Sequence, residues 1–317
     1  MSPVITLTLN PAIDETILLD RLSPGTVHRA RSVAFHAGGK GVNVASCLAD
    51  WGGIPVIAAG LLGRANEAPF ARLFASKAIR DECLHVPGET RTNVKLAHAG
   101  ETTDINLPGL EVTAESVRAV RERLLGLAAP GSVVLLAGSL PAGVDEGLYA
   151  ELTASLAARG ARVLLDSSGP PLARALAGGT PPWCIKPNRA ELEALAGRRL
   201  PDAVTVRDAA RGLLGRGVAL VAVSLGAEGA LFVTGEDCLH AALPPMRAAS
   251  TVGAGDAMVA GIIAGIHAGE GIEGIARLGT AFAAAKLRAP GANLPERAVV
   301  EALAGAVIIQ YEGVNAA

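Results

Sequence analysis

Between residues 133 and 224 the chain keeps a regular alternation. Short apolar runs at 133–136, 163–165, 184–186 and 218–224 are separated by stretches of helical periodicity at about 146–158, 171–177, 189–196 and 206–216. Strands alternating with helices predict a parallel sheet with helices on both faces. Upstream, 4–9 and 54–59 read as further strands, and 41–51, 68–78 and 113–128 as helices. Downstream, 229–233 and 238–241 suggest an antiparallel edge hairpin, and 257–267, 272–287 and 296–308 are helical. The first two of these are rich in Ala, which reads as close helix packing in a core. With no linker between 133 and 287, residues 1–317 are expected to form a single α/β domain. Two β-like segments, about 14–35 and 91–107, break the rhythm and predict a small separate sheet, its last part a hairpin over 92–97 and 102–107.

Composition removes several classes of function. Half of the residues are hydrophobic and 18% are charged, enough apolar surface to exclude disorder. The 38 Gly and 19 Pro favour tight turns over a helical bundle. Lys plus Arg is 28 against 30 Asp plus Glu, so nothing calls for nucleic acid as a partner. The longest uncharged run, 124–144, is broken by Pro130, Gly131, Pro141 and Gly143 and reads as helix, strand and loop rather than a membrane span. Cys47, Cys83, Cys184 and Cys238 form no C-x-x-C pair, and the histidines show no ligand spacing. The cysteines read as buried hydrophobes in a reducing compartment. The first residues lack a basic stretch before an apolar one, so no signal peptide is expected and a cytoplasmic location is.

The segment Ser250-Thr251-Val252-Gly253-Ala254-Gly255-Asp256 runs directly into a helix. Two glycines there let backbone amides converge on one spot, to which the helix end adds positive charge, as a phosphate requires. Asp256 is placed to take a proton from an attacking hydroxyl. By itself the heptapeptide fits a glycine turn with Asp256 as N-cap equally well. Ala37-Gly38-Gly39-Lys40-Gly41-Val42-Asn43 also opens a helix but is no Walker A loop, because Gly41 stands where Ser or Thr is needed; alone it is a surface turn. Ser224-Leu225-Gly226-Ala227-Glu228-Gly229 follows a strand, where parallel sheets bind ligands, or is a plain turn into the edge hairpin. In Lys186-Pro187-Asn188-Arg189-Ala190-Glu191, Asn188 and Glu191 suit a capping box or a hydrated Mg²⁺. Asp14, Arg91 and Asn93 are polar groups in the β-like segments. Gly269-Glu270-Gly271-Ile272-Glu273-Gly274 has no strand before it, which excludes a dinucleotide site, and Ala137 spoils a G-x-S-x-G elbow at Ser139.

Taken together, these segments resemble the ribokinase-like family of carbohydrate kinases from about Thr6 to Ala285. The early Gly-Gly-Lys-Gly and the late Gly-Ala-Gly-Asp look like its two signatures, and their joint presence in this order is far more specific than either. Thr8-Leu9-Asn10-Pro11-Ala12-Ile13-Asp14, Thr90-Arg91-Thr92-Asn93-Val94-Lys95-Leu96, Thr103-Asp104-Ile105-Asn106, Gly138-Ser139-Leu140-Pro141 and Asp166-Ser167-Ser168 look closest to the members that phosphorylate fructose 1-phosphate. Val27 departs from the Lys of members acting on fructose 6-phosphate.

The resemblance implies a three-layer α/β/α fold with a mostly parallel central sheet, the small sheet serving as a lid. It implies transfer of the ATP γ-phosphoryl group to the 6-hydroxyl of fructose 1-phosphate. Asp256 would be the base and the amides of Gly253, Ala254 and Gly255 would hold developing charge. Asp14, Gly39, Lys40, Asn43, Arg91, Asn93 and Ser139 would bind the sugar phosphate, Lys40 and Arg91 at its phosphate. Lys186, Asn188, Ser224, Gly226, Ala227, Glu228, Gly229 and Gly255 would bind ATP, with Asn188 and Glu191 toward Mg²⁺ through water. Pro290–Leu294 would lie near adenine, and the lid strands would pair two subunits. The rival readings are a tagatose 6-phosphate or fructose 6-phosphate kinase, a non-catalytic sugar-phosphate sensor on this fold, and a dehydrogenase, for which no fingerprint exists.

Overall fold

The computed structural model of the protein describes residues 2–99, 101–244, 253–288 and 293–312. In chain order the strands are β1 (Val4–Thr8), β2 (Ala12–Leu19), β3 (Ser32–Gly38), β4 (Val56–Gly63), β5 (Arg80–Val86), β6 (Thr92–His98), β7 (Glu101–Asn106), β8 (Val133–Ala137), β9 (Arg162–Asp166), β10 (Cys184–Ile185), β11 (Leu220–Ser224), β12 (Ala230–Val233), β13 (Cys238–Ala242) and β14 (Ile308–Tyr311). The helices are α1 (Lys40–Trp51), α2 (Ala68–Ser76), α3 (Ala114–Leu127), α4 (Leu148–Ala157), α5 (Gly169–Ala177), α6 (Arg189–Ala196), α7 (Ala203–Leu214), α8 (Ala254–Ala268), α9 (Ile272–Lys286) and α10 (Arg297–Ala306). A ten-stranded sheet runs β14-β13-β12-β11-β10-β9-β8-β1-β4-β5. It is parallel from β5 to β11, and β12, β13 and β14 each join antiparallel.

Both faces of this sheet are dry because its strands alternate between two cores. On β1, Val4 joins one cluster with α1, α2, α8, α9 and α10, while Ile5 and Leu7 join the other with α3 to α7. Period-two alternation of apolar residues on both faces is what a central parallel strand needs. The expected three layers follow. The order also fixes where a ligand can sit. The connections leave β1 toward β4 on one side and β8 on the other, a switch point, and ligands lie beyond the carboxyl ends of strands there.

The two β-like segments fold together as a four-stranded sheet, β3-β2-β6-β7, joined to the rest at the carboxyl end of β1. One face carries Asp14, His36, Asn93, Lys95, Asp104 and Asn106; the other carries Glu15, Phe35, Val94 and Ile105.

Two strands escaped the sequence reading. Strand β5 begins Arg-Asp-Glu, an edge whose charges hide its strand character. The predicted helix over 296–308 stops at Ala306, and Ile308 starts β14 against β13; the β-branched run Val307-Ile308-Ile309 prefers the pleated edge. The helix predicted over 257–267 starts earlier, at Ala254. Gly253 is its N-cap, in a left-handed conformation (φ 81°) that only glycine adopts freely, and Asp256 therefore stands in the first turn rather than at the cap.

Candidate active site

Three clusters meet above the carboxyl ends of β1, β8, β9, β10 and β11. The first surrounds Asp256. The early motif turns at Gly39, whose φ of 112° belongs to glycine, and sends α1 toward α8. The Asn43 amide then donates to Asp256 Oδ2 at 2.7 Å. Lys40 Nζ lies 2.9 Å from Asp166 Oδ1, and Lys186 Nζ lies 3.7 Å from the same oxygen. Asp166 and Lys186 are buried, and Asp166 Oδ2 has no hydrogen-bond partner among the described residues. A Cβ added at Gly255 would sit 3.4 Å from Lys186 Nζ, which puts that ammonium against the first turn of α8. Among the described residues no side chain caps that turn, and its leading amides suit an anion. Burial, then the Asp166 charge, push the Asp256 carboxyl up to about 6, against the Asn43 hydrogen bond and the two lysines. Burial pulls the Lys40 ammonium down, but Asp166 outweighs it and holds its pKa above the usual value. A carboxylate near 6 beside cations and free amides can accept a proton while charge develops next to it.

The second cluster belongs to the small sheet. Parallel pairing sets Asp14 beside Asn93, whose amide donates to Asp14 Oδ1 at 3.2 Å. Lys95 Nζ lies 3.1 Å from Asp14 Oδ2, and Asn93 Oδ1 is buried without a partner among the described residues. Arg91 donates to the carbonyls of Pro11 (3.3 Å) and Asn10 (3.4 Å), and burial lowers its pKa against the opposing pull of Asp14. The Asn10 amide donates to Ser139 Oγ at 3.0 Å, tying the end of β8 to this cluster. A Cβ at Gly38 would fall 3.1 Å from Asp14 Oδ2, so Asp14 abuts the turn that starts α1. Arg91 thus stands in the Asp14 cluster and Lys40 in the Asp256 cluster. Lys95 stands within the quoted 90–96 motif but was given no role in sequence; its signal is the spacing of two from Asn93, which puts both on one face of a strand.

The third feature is a cleft of about 490 Å³ lined by Asn188, Ser224, Gly226, Ala227, Gly229, Ala254 and Gly255, with an apolar wall of Leu243, Met258, Ala283, Ala284 and Leu287. Of its rim, Asn188, Ser224, Gly226, Ala227, Gly229 and Gly255 were expected to bind the nucleotide and Ala254 to serve the transfer; of its wall, Met258, Ala283, Ala284 and Leu287 were read only as helix core and Leu243 was given no role. Glu228 turns away to pair with Arg189 at 3.2 Å. Asn188 and Glu191 form a capping box, each side chain accepting from the other's backbone amide at 2.8 Å. No group of three or more His, Cys, Asp or Glu among the described residues could cage a metal. One carboxylate and one amide at the cleft fit a Mg²⁺ that keeps most of its waters. Residues Ser250–Val252 of the late motif and Pro290–Ala292 of the expected adenine loop lie outside the described residues. Among the described residues no helix is long and apolar enough to cross a membrane.

A family model described as "pfkB family carbohydrate kinase" matches residues 7–298. The chain belongs to the pfkB family of carbohydrate kinases. This pfkB-family chain is 50% identical to a 1-phosphofructokinase of Xanthomonas campestris pv. campestris, covering 96% of this chain and 97% of that one. It is 46% identical to a 1-phosphofructokinase of Rhodobacter capsulatus, covering 97% of each. Among solved structures it is similar to phosphofructokinase-2 from Escherichia coli in complex with fructose-6-phosphate, at 30% identity and a TM-score of 0.88, covering 96% of this chain and 99% of that one.

Proposed function

We propose that this pfkB-family kinase transfers the γ-phosphoryl group of ATP to the 6-hydroxyl of fructose 1-phosphate, giving fructose 1,6-bisphosphate and ADP. The observation that carries the chemistry is the Asp256 carboxylate in the first turn of α8, next in sequence to Gly255, which lines the cleft. The likeness to 1-phosphofructokinases carries the choice of acceptor.

In this reading the cleft takes ATP: its apolar wall the base, and Asn188, Ser224, Gly226, Ala227 and Gly229 the sugar and phosphates. Asp14 and Asn93 bind acceptor hydroxyls, and the buried free oxygen of Asn93 is ready for a hydroxyl donor. Arg91 and Lys95 take the acceptor's own phosphate, Arg91 through paired hydrogen bonds. Lys40 serves instead at the transferred phosphate, because it stands with Asp166 and Asp256. Asp256 removes the 6-hydroxyl proton as that oxygen attacks, while Asn43 fixes the carboxylate. The amides of Gly253, Ala254 and Gly255, with Lys40 and Lys186, hold the charge on the moving phosphoryl group. Mg²⁺, when bound with the nucleotide, supplies charge neutralisation on the phosphate oxygens; Glu191 and Asn188 would hold its waters.

The small sheet closes over the sugar as a lid and excludes water. Its opposite face exposes Val33, Phe35 and Ile105, which suits pairing with a second copy of the chain. Residues 1–317 act as one catalytic unit with this lid inserted, and the four buried free cysteines fit a reducing cytoplasm.

A coupled ADP-release assay with fructose 1-phosphate, fructose 6-phosphate and tagatose 6-phosphate at equal concentrations tests the acceptor. The proposal expects kcat/KM to be highest for fructose 1-phosphate by about tenfold or more, the worth of one charged contact. A higher value for either 6-phosphate would reassign it.

A further inference from the structure

We propose that Asp166 is a positioning residue for phosphoryl transfer: from the end of β9 it holds Lys40 and Lys186 on one oxygen, as a cation pair facing the point where Asp256 works. This rests on the assignment of Lys40, Lys186 and Asp256 to the transfer centre.

Three observations converge on it. Lys40 and Lys186 come from different parts of the chain, one at the start of α1 and the other between β10 and α6, yet both reach Asp166 Oδ1, at 2.9 and 3.7 Å. Asp166 is 2% exposed and its Oδ2 has no partner among the described residues. A buried carboxylate with one oxygen unsatisfied is costly, and an apolar residue would serve a purely structural role better. Finally, sharing one oxygen leaves both ammonium groups with N–H donors to spare, since each carries three. The Lys40 side chain is 35% exposed, and Lys186 Nζ lies against the first turn of α8. Both cations thus keep donors for a phosphoryl group held beside the first turn of α8.

Removing the Asp166 charge has a defined consequence. The groups that face Asp256 are Lys40, Asn43 and Cys47 from α1, Asp166 from β9, Lys186 from the β10–α6 corner and Lys286 from α9. Without Asp166, the carboxylates left acting on Lys40 are Asp256 and, more weakly, Glu191, and Asp256 is the one that both lysines face. They would turn onto it, lower its proton affinity and block the base. Asp166 thus keeps the cations for the phosphate and the carboxylate free for the hydroxyl.

The test is Asp166→Asn, read in two ways. In the ligand-free protein, the Asp256 carboxyl is followed by ¹³C NMR titration, its resonance assigned by its loss in Asp256→Asn. The midpoint should fall by about one pH unit or more, as it does when a carboxylate gains cationic partners. In steady-state kinetics, kcat should fall about 100-fold, with KM for each substrate changing less than about threefold, the pattern of a group acting in the transition state. In the Lys40→Met background, Asp166→Asn should cost less than it does in wild type, because one of the two lysines it anchors is already gone. An unmoved midpoint, or losses that multiply in the double variant, overturns the proposal. If Asp166→Asn does not fold, Asp166→Ser replaces it in both arms. Wild-type protein that phosphorylates no sugar phosphate would sink the functional reading instead, and the titration would still decide the role of Asp166.

Discussion

Asp256→Asn should make the protein more stable while removing most of its activity. The folded environment raises the carboxyl from 3.8 to about 6, chiefly through burial and the nearby Asp166 charge. Each pH unit is worth about 1.4 kcal/mol, so at pH 8 the ionised Asp256 costs the fold about 3 kcal/mol. Solvent reaching this half-buried group reduces that to about 2 kcal/mol. The sign follows from the raised value. The favourable contribution of the protonated form is complete below 3.8 and lost as pH rises through 6. Asn stays neutral throughout, and its oxygen can still accept from Asn43. For 317 residues the unfolding entropy is about 0.7 kcal/mol/K, so a gain of 2 kcal/mol raises Tm by about 3 °C. Differential scanning calorimetry at pH 8 and at pH 4.5 measures it: the gain should be full at the higher pH and fall to about a third at the lower. In parallel, kcat at pH 8 should drop by about 100- to 10,000-fold, the usual worth of a general base. A variant that is equally stable or less stable at pH 8 would refute the idea that Asp256 is held ionised against its surroundings. A kcat within a few-fold of wild type would refute its role as base.

Arg91→Ala should raise KM for the sugar phosphate about 10- to 100-fold while leaving KM for ATP nearly unchanged, as expected for losing charged hydrogen bonds of about 1.5–3 kcal/mol; initial-rate kinetics with each substrate varied in turn would show it, and equal effects on both would remove Arg91 from the acceptor site. Phe35→Asp places a charge in the middle of the exposed apolar face of the small sheet and should convert a dimer to monomer in sedimentation velocity; an unchanged mass for a dimeric wild type would move the interface elsewhere.

The architecture was readable because its parallel strands are short apolar runs bounded by turns, the signal that burial on both faces leaves in a sequence. The small sheet was readable only as an interruption, since its strands carry mixed polarity: one face holds Asp14, Asn93 and Lys95 and the other is exposed. Edge strands β5 and β14 were hidden by charge and by fusion with a preceding helix. In the site, the glycine turns were visible as motifs, and Asn188 with Glu191 fulfilled the capping pattern. Which charges face one another was not visible. Lys40 and Lys186 lie far apart in sequence, and their meeting at Asp166 depends on the order of β1, β9 and β10 in the sheet. The apolar wall of the cleft was hidden for another reason, because Ala283 and Ala284 have the same pattern whether they face a neighbouring helix or a nucleobase.

The most direct test of the central claim is ³¹P NMR of the reaction of fructose 1-phosphate with ATP. The account predicts one new phosphomonoester resonance at C6, growing in step with ADP, in wild type and not in Asp256→Asn. ATP hydrolysis with the sugar unchanged, or phosphate appearing at any other carbon, would contradict it.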